Sequence, residues 1–104
     1  MLIQIHTDPN IESGDRLTAR VEALVGATLE RFSQRISRVQ VHLGDENSHK
    51  NGRNDKRCMM EARLDGRPPI AVTQQAPTLD QAMDGAAAKL QRMLDRTLGR
   101  LDDR

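Results

Sequence analysis

The sequence predicts an α+β fold of order β-α-β-β-β-α, a two-layer sandwich in which a four-stranded sheet carries both helices on one face. Three observations lead there. Two stretches space their apolar residues for a helix, and four short stretches alternate them as strands do. Both helices are amphipathic, so each has one stripe to bury and the sheet needs one apolar face to receive them. The other sheet face is then polar and open to water.

Leu2 to His6 alternates as a short strand, with Ile3 and Ile5 on one face and Gln4 and His6 on the other. Asp8-Pro9-Asn10 breaks it. From Ser13, a candidate N-cap, the set Leu17, Val21, Leu24, Val25, Leu29 and Phe32 makes one helical stripe running to about Ser33. Ser37 to Leu43 alternates again, Val39, Val41 and Leu43 inward against Arg38, Gln40 and His42 outward, and Gly44 ends it.

Asp45 to Asp55 is polar throughout and contains Asn51-Gly52, so it reads as a long, mobile hairpin connection. Lys56 to Leu64 follows as a strand with Cys58, Met60, Ala62 and Leu64 inward and Arg57, Met59, Glu61 and Arg63 outward. Asp65-Gly66 is a tight turn into Ile70 to Gln74, which completes an antiparallel meander. Thr78 and Gln81 match a capping box that opens the second helix. Its stripe is Leu79, Ala82, Met83, Ala86, Leu90, Met93, Leu94, Leu98 and Leu101.

A chain of 104 residues has room for one core, and such a domain buries ~65% of its unfolded surface. We therefore expect residues 1–104 to form a single domain. Phe32 is the one aromatic residue and five methionines help fill the interior, with Met60, Met83 and Met93 expected in the core and Met59 exposed. The single cysteine, Cys58, excludes an internal disulfide and a cysteine-cluster metal site, and its inward parity makes it a small core residue. No apolar stretch approaches the ~18 residues of a membrane span and the N-terminus does not read as a secretion signal, so a cytoplasmic location without membrane contact is expected.

Enzyme signals are weak. The chain has no Gly-rich phosphate loop, no G-x-S-x-G and no H-E-x-x-H, and its paired carboxylates Asp45/Glu46 and Asp102/Asp103 fall in a loop and a tail. His6 and His42 face away from Cys58. A calcium loop from Asp45 is rejected because His49, Lys50 and Lys56 stand at its fifth, sixth and twelfth positions. Neither a metal, a cofactor nor a catalytic residue is expected.

Net charge is only +1, so any case for binding a polyanion rests on how the cations are distributed. Lys89, Arg92, Arg96 and Arg100 line one side of the second helix, where they can grip successive phosphates or form a solvated face paired with Asp95, Glu30 or Asp102. Arg31, Arg35 and Arg38 cluster where the first helix turns into a strand, and Arg57, Arg63 and His42 add to the outward sheet face. Arginine suits phosphate because its planar fork donates two parallel hydrogen bonds.

Three segments, "IQIHTDPNIE", "ERFSQRISRVQVHL" and "APTLDQAMDGAAAKLQRML", stand in this order along nearly the whole chain. In them the sequence resembles the ribosome hibernation promoting factor family, which includes the ribosome-associated inhibitor and the sigma 54 modulation proteins. The resemblance implies a sandwich similar in outline to double-stranded RNA-binding domains, which occupies the decoding channel of the small ribosomal subunit. There it would contact 16S rRNA and block tRNA and mRNA during stress or stationary phase. On matching positions, Arg31, Arg35, Arg38, Lys89, Arg92 and Arg96 would face rRNA, with Arg100 continuing the helix row and Arg16, Arg20, Arg57 and Arg63 as weaker candidates. The chain ends at Arg104 without the C-terminal dimerisation domain of long members, so a short-form action is expected.

The Asp45–Asp55 connection exceeds the family's usual hairpin, and Arg20, Arg31 and Lys89 have Glu22, Glu30 and Asp84 near them. These features, with exposed Met59 and the small net charge, favour the alternative reading. In it the domain has lost ribosome affinity and binds a protein partner or itself through the open sheet face. The sequence specifies no oligomeric state.

Overall fold

The computed structural model describes residues 1–46 and 55–102, with side chains as far as Gly99. Along the chain come β1 (Leu2–Thr7), α1 (Asp15–Thr28), a 3-10 turn (Glu30–Phe32), β2 (Ile36–Asp45), β3 (Lys56–Leu64), β4 (Ile70–Ala76) and α2 (Leu79–Asp102). The sheet order is β1-β2-β3-β4, with β1 parallel to β2 and the remaining pairs antiparallel. A parallel pair needs a crossover of a dozen or more residues, and α1 supplies it.

Burial follows the alternation. Val39, Val41 and Leu43 of β2 and Cys58, Met60, Ala62 and Leu64 of β3 are buried, and Val21, Val25, Ala82, Met83, Leu90, Leu94 and Leu98 of the helices meet them in one cluster. Ile3, Ile5, Leu17, Leu24, Ile70, Val72 and Leu79 pack around its rim. No polar or charged residue among those described is buried. Because every inward strand residue meets the helix layer, the outward set stays in water.

The helix boundaries differ from the expectation in two places. Gly14, not Ser13, occupies the N-cap of α1, and no side chain caps that end. Gly14 extends the chain and its carbonyl accepts the amide of Thr18, while Asp15 places a carboxylate in the first turn, where the helix dipole favours it. At the other end α1 stops at Thr28 rather than Ser33. Phe32 N bonds Leu29 O and Arg35 N bonds Phe32 O, a three-residue spacing that tightens the chain, buries Phe32 and turns it into β2. The second helix starts as expected: Gln81 N donates to Thr78 Oγ1 at 3.1 Å, although Gln81 Oε1 accepts from the Thr78 hydroxyl rather than from a backbone amide.

Strands also run longer than their apolar alternation. β2 begins at Ile36 and continues through Gly44 to Asp45, and β4 reaches Ala76, because backbone pairing does not stop where inward side chains do. The Asp45–Lys56 pair and the Glu46 N to Asp55 O bond close the base of the hairpin. Asn51-Gly52 lies outside the described residues. Gly66 has φ +72°, the conformation its tight turn requires.

Two methionines correct the core assignment. Met93 is 38% exposed, because it lies one turn beyond Lys89 on the flank of α2 that passes the last strand. Met59 is half-buried rather than exposed, shielded among its neighbours on the outward sheet face.

α2 crosses β4 so closely at Gly85 that an added Cβ would stand 2.6 Å from Gln74 Cγ, whereas at Gly99 it would meet nothing within 4 Å. Gly99→Ala is therefore expected to stabilise the fold by about 0.5–1 kcal/mol through helix propensity. Gly85→Ala should be neutral to destabilising, and Gly85→Ala with Gln74→Ala should recover the gain. Thermal unfolding of the three variants checks this; equal gains at both glycines would refute the close approach.

Candidate nucleic-acid interface

Arg92 and Arg96 stand one turn apart on the outer surface of α2, both exposed, and no ion pair among the described residues engages either. The rest of the predicted row behaves differently. Lys89 is half-buried and its Nζ donates to Thr73 O of β4 at 2.8 Å, tying the helix to an edge carbonyl of the sheet. The side chain of Arg100 lies outside the described residues. Arg92 and Arg96 are thus solvated without an acid partner among the described residues, while Lys89 has a backbone partner instead of an acid.

At the corner the three arginines diverge. The Arg31 guanidinium pairs with Asp95 of α2 and lies 4.8 Å from the Phe32 ring centroid, so the 3-10 turn is clamped to the helix. Arg35 is exposed in the link to β2, its carbonyl accepting Asp65 N at 3.4 Å, which draws the β3–β4 turn against the corner. Arg38 follows a register shift between Ile36 and Arg38 and emerges on the open sheet face. A shallow groove lined by Glu30, Arg31, Phe32, Ser33, Gln34, Arg35 and Gly99 separates the corner from the last turns of α2.

Of the weaker candidates, Arg20 pairs with Asp80 and bridges α1 to the start of α2, while Arg16 is exposed in the first turn of α1. Arg57 Nε lies 3.5 Å from Glu46 Oε1, and Arg63 is exposed directly opposite Arg38. Arg92 and Arg96 therefore occupy the helix layer, and Arg38, Arg57 and Arg63 the far face of the sheet. Only the corner joins the two.

Sequence reading missed a histidine contact. The parallel register sets His6 opposite His42, and their rings stack with centroids 4.5 Å apart and planes 17° from parallel. Desolvation first, then the neighbouring His6 ring and Arg57, hold the His42 imidazole below its ordinary value against the opposing pull of Glu61. Beside the stack, Gln40 Nε2 donates to Gln4 Oε1 at 3.3 Å. The alternation of each strand placed both histidines outward; their meeting depends on the register between strands.

Cys58 is buried and burial pushes its thiol up to about 12, so it stays protonated at neutral pH. Asp45 is not a loop carboxylate: it ends β2, and its Oδ2 lies 3.3 Å from Lys56 Nζ, which also reaches Asp55 at 3.2 Å. No cluster of three or more metal-ligating side chains occurs among the described residues, and no helix among them is long and apolar enough to cross a membrane.

Fold and surface together define a two-layer α+β domain with no charged residue, among those described, in its buried core. The chain belongs to the sigma 54 modulation protein / S30EA ribosomal protein family, whose model matches residues 3–102. The N-terminal domain of protein Y from Thermus thermophilus has the same fold, with TM-score 0.73 and 24% identity over 93% of this chain and 99% of that one. A ribosomal subunit interface protein from Coxiella burnetii superposes with TM-score 0.70 and 18% identity over 95% of this chain and 99% of its own. No curated protein matches the chain.

Proposed function

We propose that this chain is a ribosome-associated repressor of translation, acting in the cytoplasm, which binds 16S rRNA in the decoding channel of the small subunit and blocks tRNA and mRNA sterically. No bond is made or broken; occupancy of the channel is the whole effect. Family membership supplies the ribosome as the partner. The observation that carries rRNA contact is the exposed Arg92–Arg96 pair, two cations one turn apart with no acid among the described residues to neutralise them. Arg35 and Arg38 at the corner extend the contact, Arg31 remains a contributor through its exposed guanidinium, and Lys89 helps chiefly by holding α2 on β4.

Co-sedimentation with purified small subunits tests this. Phosphate contacts release counterions, so pelleting should be strong at low salt and weaken steeply as salt rises. A folded protein that stays in the supernatant at low salt would refute it. The second reading, a protein-interaction module using the open sheet face, is favoured by Leu2, 57% exposed there on β1, and by half-buried Met59 on β3, four register positions along the same face. No pelleting with ribosomes at low salt, together with salt-indifferent self-association or binding to a protein partner, would support that reading instead.

A further inference from the structure

The open sheet face carries an arrangement that its own stability does not call for. Arg38 of β2 and Arg63 of β3 are register partners, and no acid among the described residues pairs with either. Like charges directly opposite one another across strands destabilise a sheet. The position is nonetheless built: the register shift precedes Arg38, and Ser37 Oγ donates to Arg63 O at 3.2 Å. An anion between the two guanidinium groups would convert this repulsion into attraction.

Farther along the same face come the Gln4–Gln40 amide pair and then the His6–His42 stack. The charged groups facing the stack are Arg57 and Glu61 of β3, Arg38 farther along β2, and Asp8, whose carboxylate would lie 3.0 Å from a Cβ at Gly44. β4 brings Thr73 and Gln75 to the outer rows, neither of them titratable, and both helices cover the other face.

We propose that this open face is a second RNA-contact surface, which takes a single-stranded segment continuing from the corner, seats a phosphate between Arg38 and Arg63, and takes up a proton from solvent at the His6–His42 stack as the strand binds. It rests on the reading that the chain binds RNA, and adds a site away from the α2 surface. Continuity supports it, since Arg35 and Arg38 are three residues apart and Asp65 N holds the Arg63 end of β3 to Arg35 O. The flat face with its amides and imidazole rings suits unpaired bases, which are read by stacking and by hydrogen bonds at their edges. A protein partner would want an apolar centre, and here the centre is Gln40, His42 and Glu61, with half-buried Met59 the one apolar side chain among them.

A phosphate beside the stack stabilises the charged imidazole that the free protein disfavours at His42. Binding then takes up a proton, so affinity rises as pH falls between the bound and free values. A one-unit difference between those values corresponds to a roughly tenfold rise.

The test is fluorescence anisotropy with a short, end-labelled, mixed-sequence single-stranded RNA, from about pH 7.5 down to about pH 5.5. Wild-type affinity should climb by roughly tenfold over that interval. His6→Gln with His42→Gln should flatten the climb, any loss of ring stacking lowering affinity equally at every pH, and His6→Gln alone, at an exposed position, should reduce the climb. Arg38→Ala with Arg63→Ala should weaken binding at every pH. A wild-type affinity that is flat with pH and indifferent to Arg38→Ala/Arg63→Ala overturns the proposal and leaves the face to a protein partner, with the α2 contact unaffected. The same climb in the double-glutamine variant also overturns it. No RNA binding at any pH in low salt overturns both this surface and rRNA recognition.

Discussion

Arg92→Glu with Arg96→Glu is expected to reduce affinity for small ribosomal subunits on the order of 100-fold, because it removes two phosphate contacts and places two anions where they were. Both side chains are exposed, with no ion pair among the described residues, so the substitutions break no internal contact and circular dichroism should be unchanged. The salt dependence carries the sharper information. Each phosphate contact contributes roughly 0.7–0.9 to the slope of log affinity against log salt, so loss of the two contacts should take about 1.4 to 1.8 from it. If co-sedimentation and slope match wild type, α2 is not the rRNA-facing surface. Arg31→Glu should be read differently, since it also sets a carboxylate against Asp95 and unclamps the corner.

Leu90→Ala should cost about 3 kcal/mol of stability, within the usual range for a fully buried leucine. Leu90 has no exposed surface and sits mid-helix where α2 packs on the sheet. A domain of this size has roughly 5–10 kcal/mol in total, so the melting temperature should fall by well over ten degrees. Met93→Ala, three residues on and 38% exposed, should change stability by less than about 0.5 kcal/mol. Chemical denaturation of the pair decides the matter. Comparable losses at both positions would mean that α2 is rotated about its axis from the packing described, and that Arg92 and Arg96 face elsewhere.

The contrast between Leu90 and Met93 shows how far local pattern reaches. Both fit a stripe drawn on a helical wheel, but whether the edge of a stripe is covered depends on how far the sheet extends beneath it, and the sheet ends at β4. The same limit applies to the cations. Spacing put Lys89, Arg92 and Arg96 in one row, and the distance from α2 to the β4 edge then gave Lys89 a backbone partner and left the other two to solvent.

Element order, the inward residues of every strand, the capping of α2 by Thr78 and the helix-bearing face of the sheet were determined by the sequence alone. They arise from periodicities of 2 and 3.6 and from short-range hydrogen bonds, which a linear chain displays directly. Only tertiary structure decided the rest: the stacking of His6 on His42, the facing of Arg38 and Arg63, the clamp from Arg31 to Asp95 and the clearance at Gly85. Each joins residues at least 11 positions apart through the register of a strand or the approach of a helix. Those distances are set by the packing of the whole core, so no local stretch of sequence contains them.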